Sequence, residues 1–176
     1  PRTLFPYTTL FRSPLLDSTM VNVAIKTIAG DLKSTVSVIQ WVITGYVLAM
    51  GIAVPLSGWA TNRFGGKRLY LFSLVLFLVG SILSSLSWNI DSLIVFRLLQ
   101  GVGAGLMMPT LTTMLVQITG GHNMGRLMSI VGIPMLLGPI LGPVLGGVIV
   151  NNLSWRWIFY VNIPVKIGRA SCRERV

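Results

Sequence analysis

Charged residues are so widely spaced in this sequence that they divide it into long apolar segments. Four stretches contain no Asp, Glu, Lys or Arg, and they span residues 34–62, 69–90, 98–125 and 127–155. Each exceeds the roughly 20 residues that a helix needs to cross a bilayer. Strict alternation of apolar and polar positions is absent, and barrel strands are much shorter, so the segments are expected to be helices. The pattern predicts an all-α membrane protein.

The positions of the basic residues predict how these helices are oriented. The helices are expected at about 15–29, 36–59, 69–88, 92–118 and 127–151, with a sixth beginning near residue 157. Arg63, Lys67 and Arg68 cluster in the short loop between the second and third helices, whereas the loop acids Asp31 and Asp91 fall on the other side. Because basic loops stay in the cytoplasm, this loop is predicted to be cytoplasmic.

The composition agrees with a membrane protein and includes few of the residue types that usually act in catalysis. Hydrophobic residues make up 53% of the chain, charged residues 10%, and the mean hydropathy is +0.78. Outside the chain ends, the sequence has no cysteine, a single histidine (His122) and three acidic residues. Neither a nucleophile–base pair nor a metal site is predicted from this set.

The two ends of the chain are predicted to be foreign to the protein. Residues 1–13 resemble the conceptual translation of a short-read sequencing adapter, and residues 166–176 resemble its reverse complement read in another frame. Such segments are excluded from fold reasoning, which leaves 14–165 as a partial transmembrane bundle. Without the ends, eight basic and three acidic side chains remain, a net charge of +5 instead of +10. Nucleic-acid binding is therefore not predicted.

A glycine–proline pattern marks the fifth predicted helix. The pattern comprises Gly138, Pro139, Gly142, Pro143, Gly146 and Gly147. Glycines spaced by four residues line one face of a helix and allow a second backbone to approach closely. Prolines remove backbone donors, which a membrane helix tolerates because its neighbours compensate. We expect Gly142 and Gly146 to face another helix, and Leu141 and Leu145 to face outward or into a looser contact.

Two ionisable residues fall within or beside apolar segments, where charges are costly and usually functional. Asp17 could cap a helix that begins at Ser18, or it could face the bundle interior. Arg97 lies about one and a half turns into its predicted helix. It could extend outward to the interface, or it could face inward and hold nearby acids ionised. Gln100 shares its face, and Asn22 is a weaker candidate that could simply bond two helices.

The predicted cytoplasmic loop carries the first of several family motifs. Residues 58–68 resemble the loop signature of the major facilitator superfamily, although Asn62 replaces the usual aspartate. The resemblance implies a cytoplasmic gating loop made by Gly58, Asn62, Arg63, Gly65, Lys67 and Arg68. A simple basic loop that sets topology is the alternative. The missing carboxylate puts the charge network of this loop in question.

Four further segments resemble motifs of the same superfamily, in the same order. Residues 97–105 resemble its fourth-helix motif, and residues 15–24 resemble the first-helix motif of its drug–proton antiporters, in the branch with fourteen helices. Residues 138–147 resemble the antiporter motif of the fifth helix, and residues 155–164 resemble the start of the sixth helix in that branch. The resemblance spans nearly all of 14–165.

The resemblance implies the N-terminal six-helix half of a major facilitator transporter, truncated in its first and sixth helices. It implies proton-coupled efflux of drugs or other small amphipathic molecules, with the proton gradient as energy source and no cofactor. It places Asp17, Arg97, Gln100 and Asn22 in the substrate cavity, with Asp17 and Arg97 close enough to influence each other. The alternatives are a metabolite or sugar transporter of the same superfamily, or a non-functional fragment.

The implied surroundings follow from the same resemblance. They are the inner membrane of a bacterium, a small-molecule substrate, the C-terminal half of the transporter and a periplasmic adaptor protein. No nucleic acid is among them.

Overall fold

The computed structural model describes residues 12–119, 125 and 140–160, and the elements within these ranges are helices. They are α1 (Arg12–Asp31), α2 (Val36–Phe64), α3 (Gly66–Ser85), α4 (Ile90–Thr119), α5 (Ile140–Asn152) and α6 (Trp157–Tyr160). Helices α2, α3 and α4 are each long and apolar enough to cross a membrane. The predicted all-α membrane fold is confirmed.

The junction between α2 and α3 is much shorter than predicted. Helix α2 continues to Phe64, well past the predicted end at 59, and α3 begins at Gly66 rather than at 69. Gly65 alone joins them, with φ at 83°, and its N–H donates to the carbonyl of Thr61 over 3.0 Å. Because glycine adopts positive φ without a steric penalty, one residue reverses the chain. The loop signature is therefore mostly helical.

Helix α4 packs between α2 and α3 through three glycines. A side chain at Gly101 or Gly105 would collide with the backbone of α2, where Gly105 faces the carbonyl of Met50. A Cβ at Gly103, on the opposite side, would lie 2.8 Å from the backbone nitrogen of Phe77 in α3. Membrane helices associate by such close backbone packing, because the lipid offers little hydrophobic driving force between them.

Helix α5 packs against α1 at Gly146, one of the two glycines that were predicted to face another helix. A Cβ at Gly146 would lie 3.1 Å from the Cα of Met20, and Gly142 is also buried. Leu141 and Leu145 are 39% and 41% exposed. The four-residue glycine spacing thus places its small face on α1 and its leucines outward.

The ends of the helices alternate as the charge pattern predicted. At one end, Trp155 Nε1 donates to Asp31 Oδ2 over 2.8 Å, which joins the end of α1 to the turn before α6. At the other end, a Cβ at Gly66 would lie 2.8 Å from Cγ of Met114, in the last third of α4. Because α2 begins at Val36, shortly after Asp31, and ends at Phe64, next to Gly65, the Asp31 end and the Gly65 junction lie at opposite ends of the bundle. Arg126 lies outside the described residues.

Candidate functional site

Asp17 and Arg97 form an ion pair that joins α1 to α4. Arg97 NH1 donates to Asp17 Oδ2, across 80 residues of sequence. Their side chains are only 2% and 0% exposed for Arg97 and Asp17, respectively. Helix α1 begins at Arg12, so Asp17 lies inside the helix and the helix-cap hypothesis is wrong. Arg97 is buried seven residues after the start of α4, so the hypothesis that it extends to the interface is also wrong.

Gln100 completes the polar side of the pair from the next turn of α4. Its Oε1 accepts from Arg97 NH1 over 3.3 Å, and the side chain is fully buried. Arg97 Nε, Arg97 NH2 and Gln100 Nε2 have no hydrogen-bond partner within the described part of the chain. Buried donors without a partner carry a cost in free energy, so part of this polar cluster is not satisfied by hydrogen bonds from the described residues.

Two aromatic rings surround the guanidinium, and sequence reasoning missed both roles. The Cζ of Arg97 lies 5.4 Å from the ring centroid of Tyr46 in α2 and 4.7 Å from that of Phe159 in α6. Both distances fall within the range of cation–π contacts. The backbone carbonyl of Phe159 accepts from Ser81 Oγ over 3.1 Å, which joins α6 to α3. Phe159 belongs to the motif at 155–164, and this membership was the only feature of the sequence that could have pointed to it.

The turn before α6 closes this end of the bundle. Trp155 is fully buried and bonds Asp31 as described above. Arg156 NH2 donates to the carbonyl of Ser87 over 3.2 Å, and its Cζ lies 4.6 Å from the Trp155 ring centroid. Through these two hydrogen bonds, the turn before α6 connects the C-terminal end of α1 to the segment that follows α3.

The other predicted cavity residue, Asn22, is not brought to the ion pair. Asn22 is exposed, whereas Asp17, Met20, Val21 and Ala24 on the same helix are buried. The buried face of α1 packs inside this bundle, so Asn22 belongs to a different face. Its role in a cavity stays a prediction.

The residues of the gating-loop signature lie together around the α2–α3 junction. These are Gly58, Asn62, Arg63, Gly65, Lys67 and Arg68, and all of them are exposed. Within the described ranges, no ion pair joins their basic side chains to a carboxylate. Asn62 is neutral, so it cannot supply one, and the gating role of this loop stays a prediction.

The residues of the antiporter motif are only partly described. Gly142 and Gly146 are buried and Pro143 is exposed, and a Cβ at Gly147 would have no atom of the described residues within 4 Å. Gly138 and Pro139 lie outside the described residues. The structure thus shows which glycines of this motif are packed, and their part in transport stays a prediction.

An ion pair buried between membrane helices, in a bundle packed through glycines, is typical of a transporter. Residues 15–168 match the sequence profile of the Major Facilitator Superfamily, and the chain belongs to this superfamily. The match begins at 15 and ends at 168, and the predicted artefacts at 1–13 and 166–176 stay a prediction.

The relatives of the chain include bacterial multidrug transporters. It is 46% identical over 153 residues to the multidrug resistance protein B homolog of Mycobacterium tuberculosis, covering 87% of this chain and 28% of that protein. It is 38% identical over 154 residues to the multidrug export protein EmrB of Escherichia coli K12, covering 88% of this chain and 30% of that protein. Bacterial relatives and three membrane-length apolar helices in the described part of the chain identify it as a multi-pass protein of the bacterial inner membrane.

A solved structure shows the same fold at low sequence identity. The inward-open xylose transporter XylE of E. coli aligns with a TM-score of 0.74 and 17% identity, covering 93% of this chain and 45% of that chain. This likeness concerns the fold alone. The chain spans about three tenths of the length of the curated relatives it matches.

Proposed function

We propose that this chain carries the proton-coupling site of an exporter of drugs or other small amphipathic molecules. The observation that carries the proposal is the buried ion pair between Asp17 and Arg97. Membership of the Major Facilitator Superfamily and the similarity to multidrug export proteins support the direction of transport. We further infer that the protein is a transporter rather than an enzyme.

In the proposed mechanism, Asp17 takes up and releases the transported proton. Ionised Asp17 and Arg97 neutralise each other, which lets both charges lie within the membrane. A proton on Asp17 removes its charge and leaves Arg97 with an unbalanced positive charge in a dry site. Arg97 then favours a different position, and the bundle favours a different conformation. Release of the proton restores the pair and resets the cycle.

We propose roles for three other parts of the transporter around this site. Alternating access requires two halves that move about a site between them, so we propose that a C-terminal half completes the cavity. The exposed residues at the α2–α3 junction would gate its cytoplasmic side, and the glycines of α5 would allow close packing against α1 during movement. The proton gradient would supply the energy without a cofactor, within a lipid bilayer and alongside a periplasmic adaptor protein.

Drug efflux in everted vesicles with an imposed pH gradient tests the proposal. A full-length transporter carrying these residues is compared with its Asp17→Asn and Arg97→Lys variants. Asp17→Asn should abolish gradient-driven efflux and leave drug binding partly intact. Arg97→Lys keeps the charge and loses the planar fork, so it should impair coupling.

The matched control is Asp91→Asn, which alters an exposed aspartate in the first turn of α4. This variant should pump at the wild-type rate. Efflux against the gradient by Asp17→Asn at the wild-type rate would show that the proton site lies elsewhere.

A further inference from the structure

The hydrogen bonds of Arg97 hold its guanidinium at one nitrogen only. NH1 donates to Asp17 and to Gln100, while Nε and NH2 have no hydrogen-bond partner within the described residues. A guanidinium is planar and offers five donors in a fork. The two bonds from NH1 restrain that edge of the guanidinium, whereas no hydrogen bond within the described residues restrains the edge formed by Nε and NH2. A contact with the face of the guanidinium can therefore add to the restraint on its orientation.

Among the residues that the structure describes, Phe159 has the aromatic ring nearest to this cation. It lies 4.7 Å from the guanidinium carbon, closer than the Tyr46 ring at 5.4 Å. Cation–π attraction is strongest when the cation is desolvated, and Arg97 is 1% exposed while Phe159 is fully buried. Both partners of the Arg97–Phe159 contact are buried, so the cation–π attraction is strong enough to restrain the Arg97 side chain.

Phe159 is itself held by elements other than α4. Its carbonyl accepts from Ser81 Oγ of α3 over 3.1 Å, and its ring makes an edge contact with Trp155 at a centroid distance of 6.1 Å. Trp155 in turn donates to Asp31 at the end of α1. The ring is thus anchored to α1 and α3, so it gives the arginine on α4 a fixed surface to rest on.

From this arrangement, we infer that Phe159 is a positioning residue, which keeps the Arg97 guanidinium directed at Asp17 through a cation–π contact. The inference rests on the proposed function, since it concerns the same ion pair. It also implies that the position of segment 155–160 affects the geometry of the Asp17–Arg97 pair. A movement that separates α6 from α4 would remove the restraint on Arg97 and weaken its hold on Asp17.

Fluorinated phenylalanines at position 159 test the contact with almost no change in shape. Each added fluorine withdraws electron density from the ring face and weakens its attraction for a cation. The readout is the rate at which an apolar carbodiimide modifies Asp17, measured by peptide mass spectrometry on the full-length transporter in membranes. Carbodiimides react with accessible carboxyls, and a guanidinium held against the Asp17 carboxylate shields it from the reagent, so the labelling rate reports how firmly Arg97 holds Asp17. From phenylalanine to trifluorophenylalanine, labelling should rise stepwise, by roughly threefold to tenfold in total.

The matched control is the same fluorine series at Phe96, the residue before Arg97. Its ring makes an edge contact with Trp88 at 6.2 Å and is not among the described cation–π contacts. Labelling of Asp17 should not change across this series. A flat response at 159, or an equal rise at both positions, would overturn the inference. Phe159→Leu would remove the ring but would also alter packing, so it is a less decisive test. Phe159→Tyr keeps an aromatic ring at this position and should keep the labelling of Asp17 low.

The labelling experiment is independent of transport. If Asp17→Asn still pumps but the fluorine series raises labelling, the positioning contact is real and the proposed proton site is wrong. If Asp17→Asn abolishes coupling but fluorination has no effect, the proposed function survives and the role of Phe159 is refuted.

Discussion

Removal of one partner of the Asp17–Arg97 pair should destabilise the protein far more than removal of both. Asp17→Leu leaves a buried guanidinium without its counter-charge, and Arg97→Met leaves a buried carboxylate. Both side chains are almost completely excluded from solvent, at 0% and 2% exposure. Neither remaining charge can reach water unless the helices repack.

The magnitude follows from what each single variant leaves behind. Breaking a buried ion pair by removing one partner costs about 3–5 kcal/mol. In Asp17→Leu, the guanidinium keeps its bond to Gln100 and its contacts with Tyr46 and Phe159. Those ring contacts are worth about 0.5–2 kcal/mol, so a loss near the lower limit, about 3 kcal/mol, is expected. The double variant leaves no charge buried without its partner and should cost about 1 kcal/mol or less.

A double-mutant cycle measures this difference. The free energy of unfolding of a full-length transporter carrying these residues is determined in lipid–detergent micelles for the wild type, both single variants and the double variant. Because each single variant should lose about 3 kcal/mol or more and the double variant about 1 kcal/mol or less, the coupling energy between positions 17 and 97 should be at least about 5 kcal/mol. Asp91→Leu, at an exposed position, serves as the control and should change the free energy of unfolding by no more than about 0.5 kcal/mol. Single variants that cost less than about 1 kcal/mol each, with additive effects, would show that the pair is hydrated and refute the reasoning.

Three further predictions concern the packing of the bundle and its ends. Gly146→Leu should block drug efflux more than it lowers expression, because a Cβ there meets the backbone of α1 at 3.1 Å. At Gly147 no atom of the described residues lies within 4 Å of an added Cβ, so Gly147→Leu should keep efflux near wild type, and equal efflux by the two variants would contradict this. Trp155→Phe removes a hydrogen bond to the carboxylate of Asp31 and should lower the free energy of unfolding by about 1.5–3 kcal/mol, and an unchanged unfolding curve would count against a role for that bond. Gly65→Ala places a side chain at a φ of 83° and should cost about 1–3 kcal/mol in the same measurement, while a neutral result would mean that the α2–α3 junction adopts another conformation.

The sequence alone determined the class of the protein and the course of its membrane helices. Charges cannot lie in a bilayer without cost, so charge-free stretches predict spans. In the described part of the chain three of them coincide with membrane-length helices, and α4 begins and ends within two residues of its predicted bounds. The same cost made Asp17 and Arg97 stand out as functional candidates. The glycine spacing likewise predicted the face of α5 that packs, because helical periodicity is a local property.

Only the tertiary structure decided which residues meet. Asp17 and Arg97 are 80 residues apart, and their contact depends on how α1 and α4 are rotated and how far each is shifted along its axis. Sequence periodicity determines neither quantity. For the same reason, the two rings around Arg97 were missed, since Tyr46 and Phe159 come from two other helices. The one-residue junction at Gly65 was also missed, because a basic loop and a pair of continuous helices broken by a single glycine at positive φ have the same composition.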